Sequence, residues 1–240
     1  MLRLFCLPYS GASAMVYARW KRQLPEWIEV CPVELPGRGR RFAESLQTDL
    51  RALAGQLADE IAARLDQPYA LFGHSLGGLL IFELAHALRE RGLPMPQSLF
   101  ASAASAPSRR DSHRELAQAQ SDEQLIERMR RLGGTAEAVF ADAEMLALTL
   151  PVMRADFLLC GLYDYRSRAP LACPIHVFGG KADRLSVESL SAWQDETCAG
   201  FSLEMLDGGH FFLNASEARL LELLRARLQQ PGRASSAALA

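Results

Sequence analysis

Between Tyr69 and Arg91 the sequence runs from an apolar stretch, Tyr69-Ala70-Leu71-Phe72, through Gly73-His74-Ser75-Leu76-Gly77-Gly78, into a segment that is apolar nearly all round. Gly73 and Gly77 stand two positions either side of Ser75. Side chains at those positions would keep a strand and a helix apart, so G-x-S-x-G is the spacing that lifts a serine to a sharp apex between them. Leu79, Leu80, Ile81, Phe82, Leu84, Ala85 and Leu88 follow, and a helix apolar on every face belongs in an interior. That setting distinguishes the stretch from a Gly-rich surface turn. A strand turning into a buried helix is a unit of a layered α/β fold. The spacing G-x-G-x-x-G is missing and no Lys follows the glycines, so this is not a nucleotide-binding loop.

The other segments extend the pattern. Leu2 to Leu7 is an apolar run closed by Pro8 and reads as a buried strand, left through Tyr9-Ser10-Gly11-Ala12-Ser13. A helical stretch then runs to about Leu24. Residues 28–34 read as a second strand, followed by Leu35-Pro36-Gly37-Arg38-Gly39-Arg40-Arg41. Three arginines in four positions suggest an anion contact, against the plainer alternative of a solvated basic turn. Leu50, Leu53, Leu57, Ile61 and Leu65 form a helical stripe with Thr48 or Asp49 as N-cap. Residues 98–104 are a further strand. From 105 to 170 the rhythm breaks into amphipathic helical pieces, 115–132 and 142–163, with no convincing strand. Strands resume at 175–179 and 201–206, and a helix over 215–228 follows.

These spans predict an α/β-hydrolase fold, with a mostly parallel central sheet and helices on both faces. Its core is expected in 1–104 and 171–230, with a helical lid insertion over 105–170 above the carboxyl edge of the sheet, where open α/β sheets bind ligands. A subdomain that only packs is the alternative for the insertion. The small, polar stretch 231–240 reads as a disordered tail.

The 240 residues, 49% hydrophobic and 22% charged, suit one globular domain with a sizeable core. A formal net charge of −2 argues against a nucleic-acid partner. Cys6, Cys31, Cys160, Cys173 and Cys198 are odd in number and hold no C-x-x-C pair, which fits buried or free thiols in a reducing compartment better than a disulfide framework or a zinc site. The sequence shows no succession of basic, apolar and small-residue regions, and no apolar run near the ~20 residues of a membrane span. A cytoplasmic protein without a membrane partner is expected.

A serine activated for attack needs a base within hydrogen-bond reach and an acid that fixes the base's tautomer. This fold supplies them in the order Ser, Asp, His. His74 lies in the turn itself, His86 on the buried helix, His113 in the insertion and His176 inside a strand, whereas His210 follows the last strand behind Gly208-Gly209. His210 is the expected base. Asp156, Asp164, Asp183 and Asp207 all precede it. Asp183 leaves the end of a core strand and is preferred, with Asp207, more plausible as a turn former, as the alternative. The oxyanion amides are assigned to Leu76, directly after the serine, and Ser10, in the loop after the first strand. The scheme uses no metal and no cofactor.

Together these residues resemble the stand-alone type II thioesterases of nonribosomal peptide and polyketide assembly lines. The resemblance spans nearly the whole chain, through Leu7-Pro8-Tyr9-Ser10-Gly11, Glu34-Leu35-Pro36-Gly37-Arg38, the Ser75 turn, Leu150-Pro151-Val152-Met153-Arg154-Ala155-Asp156-Phe157 and Gly208-Gly209-His210-Phe211-Phe212. Family members carry His and Ala-Gly-Gly where this chain has Tyr9, Ser10 and Gly11-Ala12. The resemblance implies hydrolysis of aberrant or stalled acyl groups from the phosphopantetheine thiol of acyl or peptidyl carrier domains, with no cofactor of the enzyme's own, in a siderophore or antibiotic pathway. A monomer is expected. A general carboxylesterase or fatty acyl-carrier thioesterase is the alternative, as is, in another class, an inactive carrier-binding module. Because carrier domains of such systems present acidic surface, Arg38, Arg40 and Arg41, then Arg109, Arg110 and Arg114, then Arg128, Arg130 and Arg131 are candidate carrier contacts, the second group foremost.

Overall fold

The computed structural model describes residues 1–109, 115–118 and 121–229. Six strands, β1 (Leu2–Leu7), β2 (Ile28–Pro32), β3 (Tyr69–His74), β4 (Leu99–Ser102), β5 (Ile175–Gly180) and β6 (Phe201–Leu206), pair throughout in parallel, in the order β2-β1-β3-β4-β5-β6. Which strands lie inside the sheet follows from patterning. Successive strand side chains point to opposite faces, and in β1, β3, β4 and β5 both faces are largely apolar. Phe5, Leu7, Leu71, Leu99, Ala101, Ile175 and Val177 enter one core, while Leu4, Cys6, Ala70, Phe72, Phe100 and Phe178 enter the other. Strands buried on two sides belong inside a parallel sheet covered by helices.

The first face is covered by α2 (Leu50–Ile61) and α3 (Leu76–Glu90). The second carries the short α1 (Trp20–Gln23), with Tyr17 and Trp20 edge-on to Phe72 at 5.7 and 4.9 Å. Truncating a ring enclosed in this way typically costs about 3–5 kcal/mol. Of the two candidate N-caps of α2, Thr48 and Asp49, it is Asp49 that caps the helix, its carboxylate accepting from the Arg51 and Ala52 amides.

Between β4 and β5 lie α4 (Asp122–Leu132), α5 (Glu137–Ala141) and α6 (Ala143–Gly161), with no strand among the described residues. Leu125, Met129, Leu150, Met153 and Phe157 form a small core of their own. α4 is shorter than the expected helix because Ser121 caps it, exchanging hydrogen bonds with Gln124 in a capping box. After β5 come α7 (Val187–Ser191), which the sequence pattern did not indicate, and after β6 the pair α8 (Phe212–Ala215) and α9 (Glu217–Leu228), where one helix from 215 was expected. Residues 231–240, His113, Arg110 and Arg114 lie outside the described residues. Among those described, no helix is long and apolar enough to cross a membrane.

Candidate active site

Ser75 is the N-cap of α3, at φ 55° and ψ −112°. Backbone held there by a non-glycine residue costs on the order of 1–3 kcal/mol and persists where packing over-determines it. Here the packing is explicit. A Cβ on Gly73 would lie 2.0 Å from the Gly77 carbonyl oxygen, and one on Gly77 would lie 2.3 Å from that of Leu7. The sequence placed glycines where strand and helix backbones touch. The Ser75 amide donates to the Ser102 carbonyl at 2.8 Å, tying the apex to the end of β4. The other non-glycine residue at positive φ among those described is Ala103, at 47°, and it lines the same cavity as Ser75.

The exits of β5 and β6 are bonded to each other. The Lys181 amide donates to Leu206 O at 2.8 Å and the Ala182 amide to Gly208 O at 2.9 Å. This brings Asp183 beside His210. His210 Nδ1 is 2.9 Å from Asp183 Oδ2, and His210 Nε2 is 3.0 Å from Ser75 Oγ. With Asp183 as a carboxylate, Nδ1 carries the proton and Nε2 is left as acceptor for the serine hydroxyl. Burial pushes the Asp183 carboxyl up, but the hydrogen bond from His210, its charge, and the Arg184 and Leu185 amides together hold it below its ordinary value. His74, fully enclosed, packs edge-on to His210 at 5.5 Å, and its Nδ1 meets Ser102 Oγ at 2.9 Å. Burial first, then the nearby His210, drives its pKa well down, so it adds no charge beneath the site.

Ser75 and His210 open onto a cavity of about 490 Å³, which Ser10 also lines. Leu76 is the first residue of α3, its side chain buried. The insertion supplies much of the remaining wall, with Met129 and Leu132 from α4 and Met153 and Phe157 from α6. Asp207 is elsewhere, in an exposed pair with Lys181 at 2.7 Å. Arg38 is neither a solvated turn residue nor open to an outside anion, because it is buried against Asp156. That pair was not legible from the sequence, since its members are 118 residues apart. Arg41 bonds Glu44 and Glu60. Among the described residues no cluster of three or more His, Cys, Asp or Glu could hold a metal ion.

A strained serine between a parallel strand and a buried helix, hydrogen-bonded to a histidine that follows the last strand, defines the α/β-hydrolase class. The thioesterase domain model matches residues 2–228, and the chain belongs to that family. It is 41% identical over 233 residues to the gramicidin S biosynthesis protein GrsT of Aneurinibacillus migulanus, covering 95% of this chain and 89% of the relative. Among solved structures, the RedJ thioesterase of the prodiginine pathway in Streptomyces coelicolor superposes with a TM-score of 0.86 at 40% identity, over 94% of this chain and 89% of that one. The type II thioesterase BorB of the borrelidin biosynthetic cluster superposes at 0.84 with 37% identity, over 95% and 92%.

Proposed function

We propose that the chain is a type II thioesterase that releases acyl groups from the phosphopantetheine thiol of carrier domains in a nonribosomal peptide or polyketide assembly line. Ser75 is the nucleophile, His210 the general base and Asp183 the acid that orients it. The observation that carries this reading is the hydrogen-bonded run from Ser75 through His210 to Asp183, with Ser75 and His210 lining a cavity walled in part by Met129, Leu132, Met153 and Phe157. The relatives in gramicidin, prodiginine and borrelidin biosynthesis support the setting.

In the first half-reaction Ser75 Oγ attacks the thioester carbonyl while its proton passes to His210 Nε2. Charge gathers on the former carbonyl oxygen and rests on the amides of Leu76 and Ser10. The Leu76 amide sits at a helix N-terminus, whose dipole favours negative charge. In the turn Tyr9–Ala12, Gly11 N–H and Ala12 N–H already have acceptors, which leaves the Ser10 N–H for the cavity. The carbon–sulfur bond then breaks. A thiol of pKa ~8.5 departs with little acid assistance and carries off the proton that His210 took from Ser75, which leaves Nε2 neutral again. Water then attacks the acyl-serine, giving its proton to His210, and the carboxylic acid leaves as Ser75 recovers its hydrogen. No step calls on a cofactor. Residues 105–170 serve as a lid that walls the acyl cavity.

Comparing an acyl carrier-domain thioester with the matched oxygen ester tests the assignment. The thioester should turn over with the higher kcat/KM, and Ser75→Ala should abolish both hydrolysis and fluorophosphonate labelling. Faster ester hydrolysis would make the chain a carboxylesterase, and labelling that survives Ser75→Ala would remove the nucleophile assignment.

A further inference from the structure

Asp156 is fully buried in α6, and Arg38, from the loop after β2, is 6% exposed. They meet in two parallel hydrogen bonds, Arg38 Nη1 to Oδ2 at 2.6 Å and Nη2 to Oδ1 at 2.7 Å. The same Oδ2 accepts the Gly11 amide at 2.7 Å. A buried ion pair is a weak source of stability, because desolvating both charges offsets most of their attraction. Its position is more informative than its energy.

Gly11, at φ +78°, is the third residue of a turn closed by Ala12 N–H donating to Tyr9 O at 3.0 Å. This is a type II turn with Ser10 second. The central peptide of the turn carries the Gly11 N–H, and the peptide directly before it carries the Ser10 N–H. By accepting from Gly11, Asp156 ties the turn to α6 and so fixes where the Ser10 N–H lies. Met153, one helical turn earlier in α6, closes on the same residue, since a Cβ on Gly11 would fall 2.3 Å from the methionine sulfur.

We infer that Arg38 and Asp156 are positioning residues for catalysis: Asp156 pins the turn through Gly11 so that the Ser10 amide faces the developing oxyanion, and Arg38 holds Asp156 in place. The inference rests on the reading of Ser10 as an oxyanion donor. Neither side chain touches substrate in this arrangement. The effect is confined to the transition state.

The test compares Asp156→Asn, which keeps an acceptor for Gly11 but breaks the charge pair, with the double variant Arg38→Met, Asp156→Leu, which fills the site with apolar groups of similar volume. Melting temperature, kcat and KM are measured with an acyl-pantetheine thioester. The double variant should melt near wild type yet lose about 10²-fold in kcat at unchanged KM, close to the loss of one oxyanion donor. Asp156→Asn should lose about tenfold. A double variant with wild-type melting and kcat would overturn the inference, as would a loss confined to KM. If the double variant does not fold, Asp156→Asn decides, and a kcat within twofold of wild type overturns the idea. Ser10→Pro separates the two levels, because proline suits the second position of a type II turn and removes the N–H. An unchanged kcat there would discard the donor itself, whereas a loss there with none in the pair variants would discard only the positioning role.

Discussion

Asp183→Asn removes a charge from the site and almost nothing from its shape. In the proposed mechanism His210 takes the serine proton, and the imidazolium forms 2.9 Å from the Asp183 carboxylate, with the two side chains 20% and 5% exposed. At an effective dielectric of about 20, opposite unit charges about 3 Å apart attract by about 5–6 kcal/mol. The amide of Asn retains part of this as a dipole when its oxygen faces Nδ1. When its NH₂ faces Nδ1 instead, the imidazole proton moves to Nε2 and the serine loses its acceptor. The expected loss in kcat is about 10³–10⁴-fold, with KM within a few-fold and the melting temperature little changed. Release of thiol from an acyl-pantetheine, followed from pH 6 to 9 with a chromogenic disulfide, measures it. Asp207→Asn is the control, since its exposed pair with Lys181 is of the kind worth about 0–1 kcal/mol. An Asp183→Asn enzyme within tenfold of wild type, or an equal loss in Asp207→Asn, would refute the assignment.

Leu132, 39% exposed yet lining the cavity, offers a way to shorten it without cutting into the core. Leu132→Trp should shift the kcat/KM ratio toward short acyl chains by about tenfold, given ~1–3 kcal/mol per methylene, and an unchanged chain-length profile would remove the insertion from specificity. At the start of the insertion, Arg109 is exposed. Arg109→Glu with Arg110→Glu should raise KM for an acyl-carrier protein several-fold, more at low salt, and leave acyl-pantetheine hydrolysis unchanged; equal losses on both substrates would point to lid damage instead. Burial holds His176 at about 4 and His86 at about 3, so both stay neutral in the folded chain at pH 5 and protonate on unfolding. Stability should be full above about 6.5 and fall toward pH 4 by about 1.4 kcal/mol per pH unit for each ring. Urea unfolding at stepped pH should give a shallower slope for His176→Gln, and an identical slope would exclude this origin.

The sheet and the Ser75 turn were legible because their causes are local. Both-sided apolar runs such as Leu2–Leu7 and Tyr69–His74 can only sit inside a covered parallel sheet, and the glycines of the elbow mark backbone contact directly. β6 and the loop carrying His210 could be located for the same reason. What escaped depends on distance or on weak periodicity. α7 is five residues with alternating serines and one buried leucine, too short for a helical stripe to emerge. The start of α4 was signalled by Ser121 and Gln124, but the apolar pattern upstream obscured it. The basic loop reads outward, toward an unknown anion, because no local pattern ties Arg38 to a carboxylate 118 residues further along the chain.

The path the chain takes through the sheet also governs when chemistry can begin. His210 stands 27 residues beyond Asp183 and 135 beyond Ser75. Synthesis proceeds from the N-terminus, so the strands around the elbow and all of the insertion emerge before the base does. On the proposed triad, a growing or truncated chain that stops short of β6 carries the serine but lacks the group that takes its proton. Such a chain is chemically silent toward the thioesters around it. On that reading hydrolysis switches on only when the last edge strand docks, and return of turnover during refolding should report closure of the sheet at that edge.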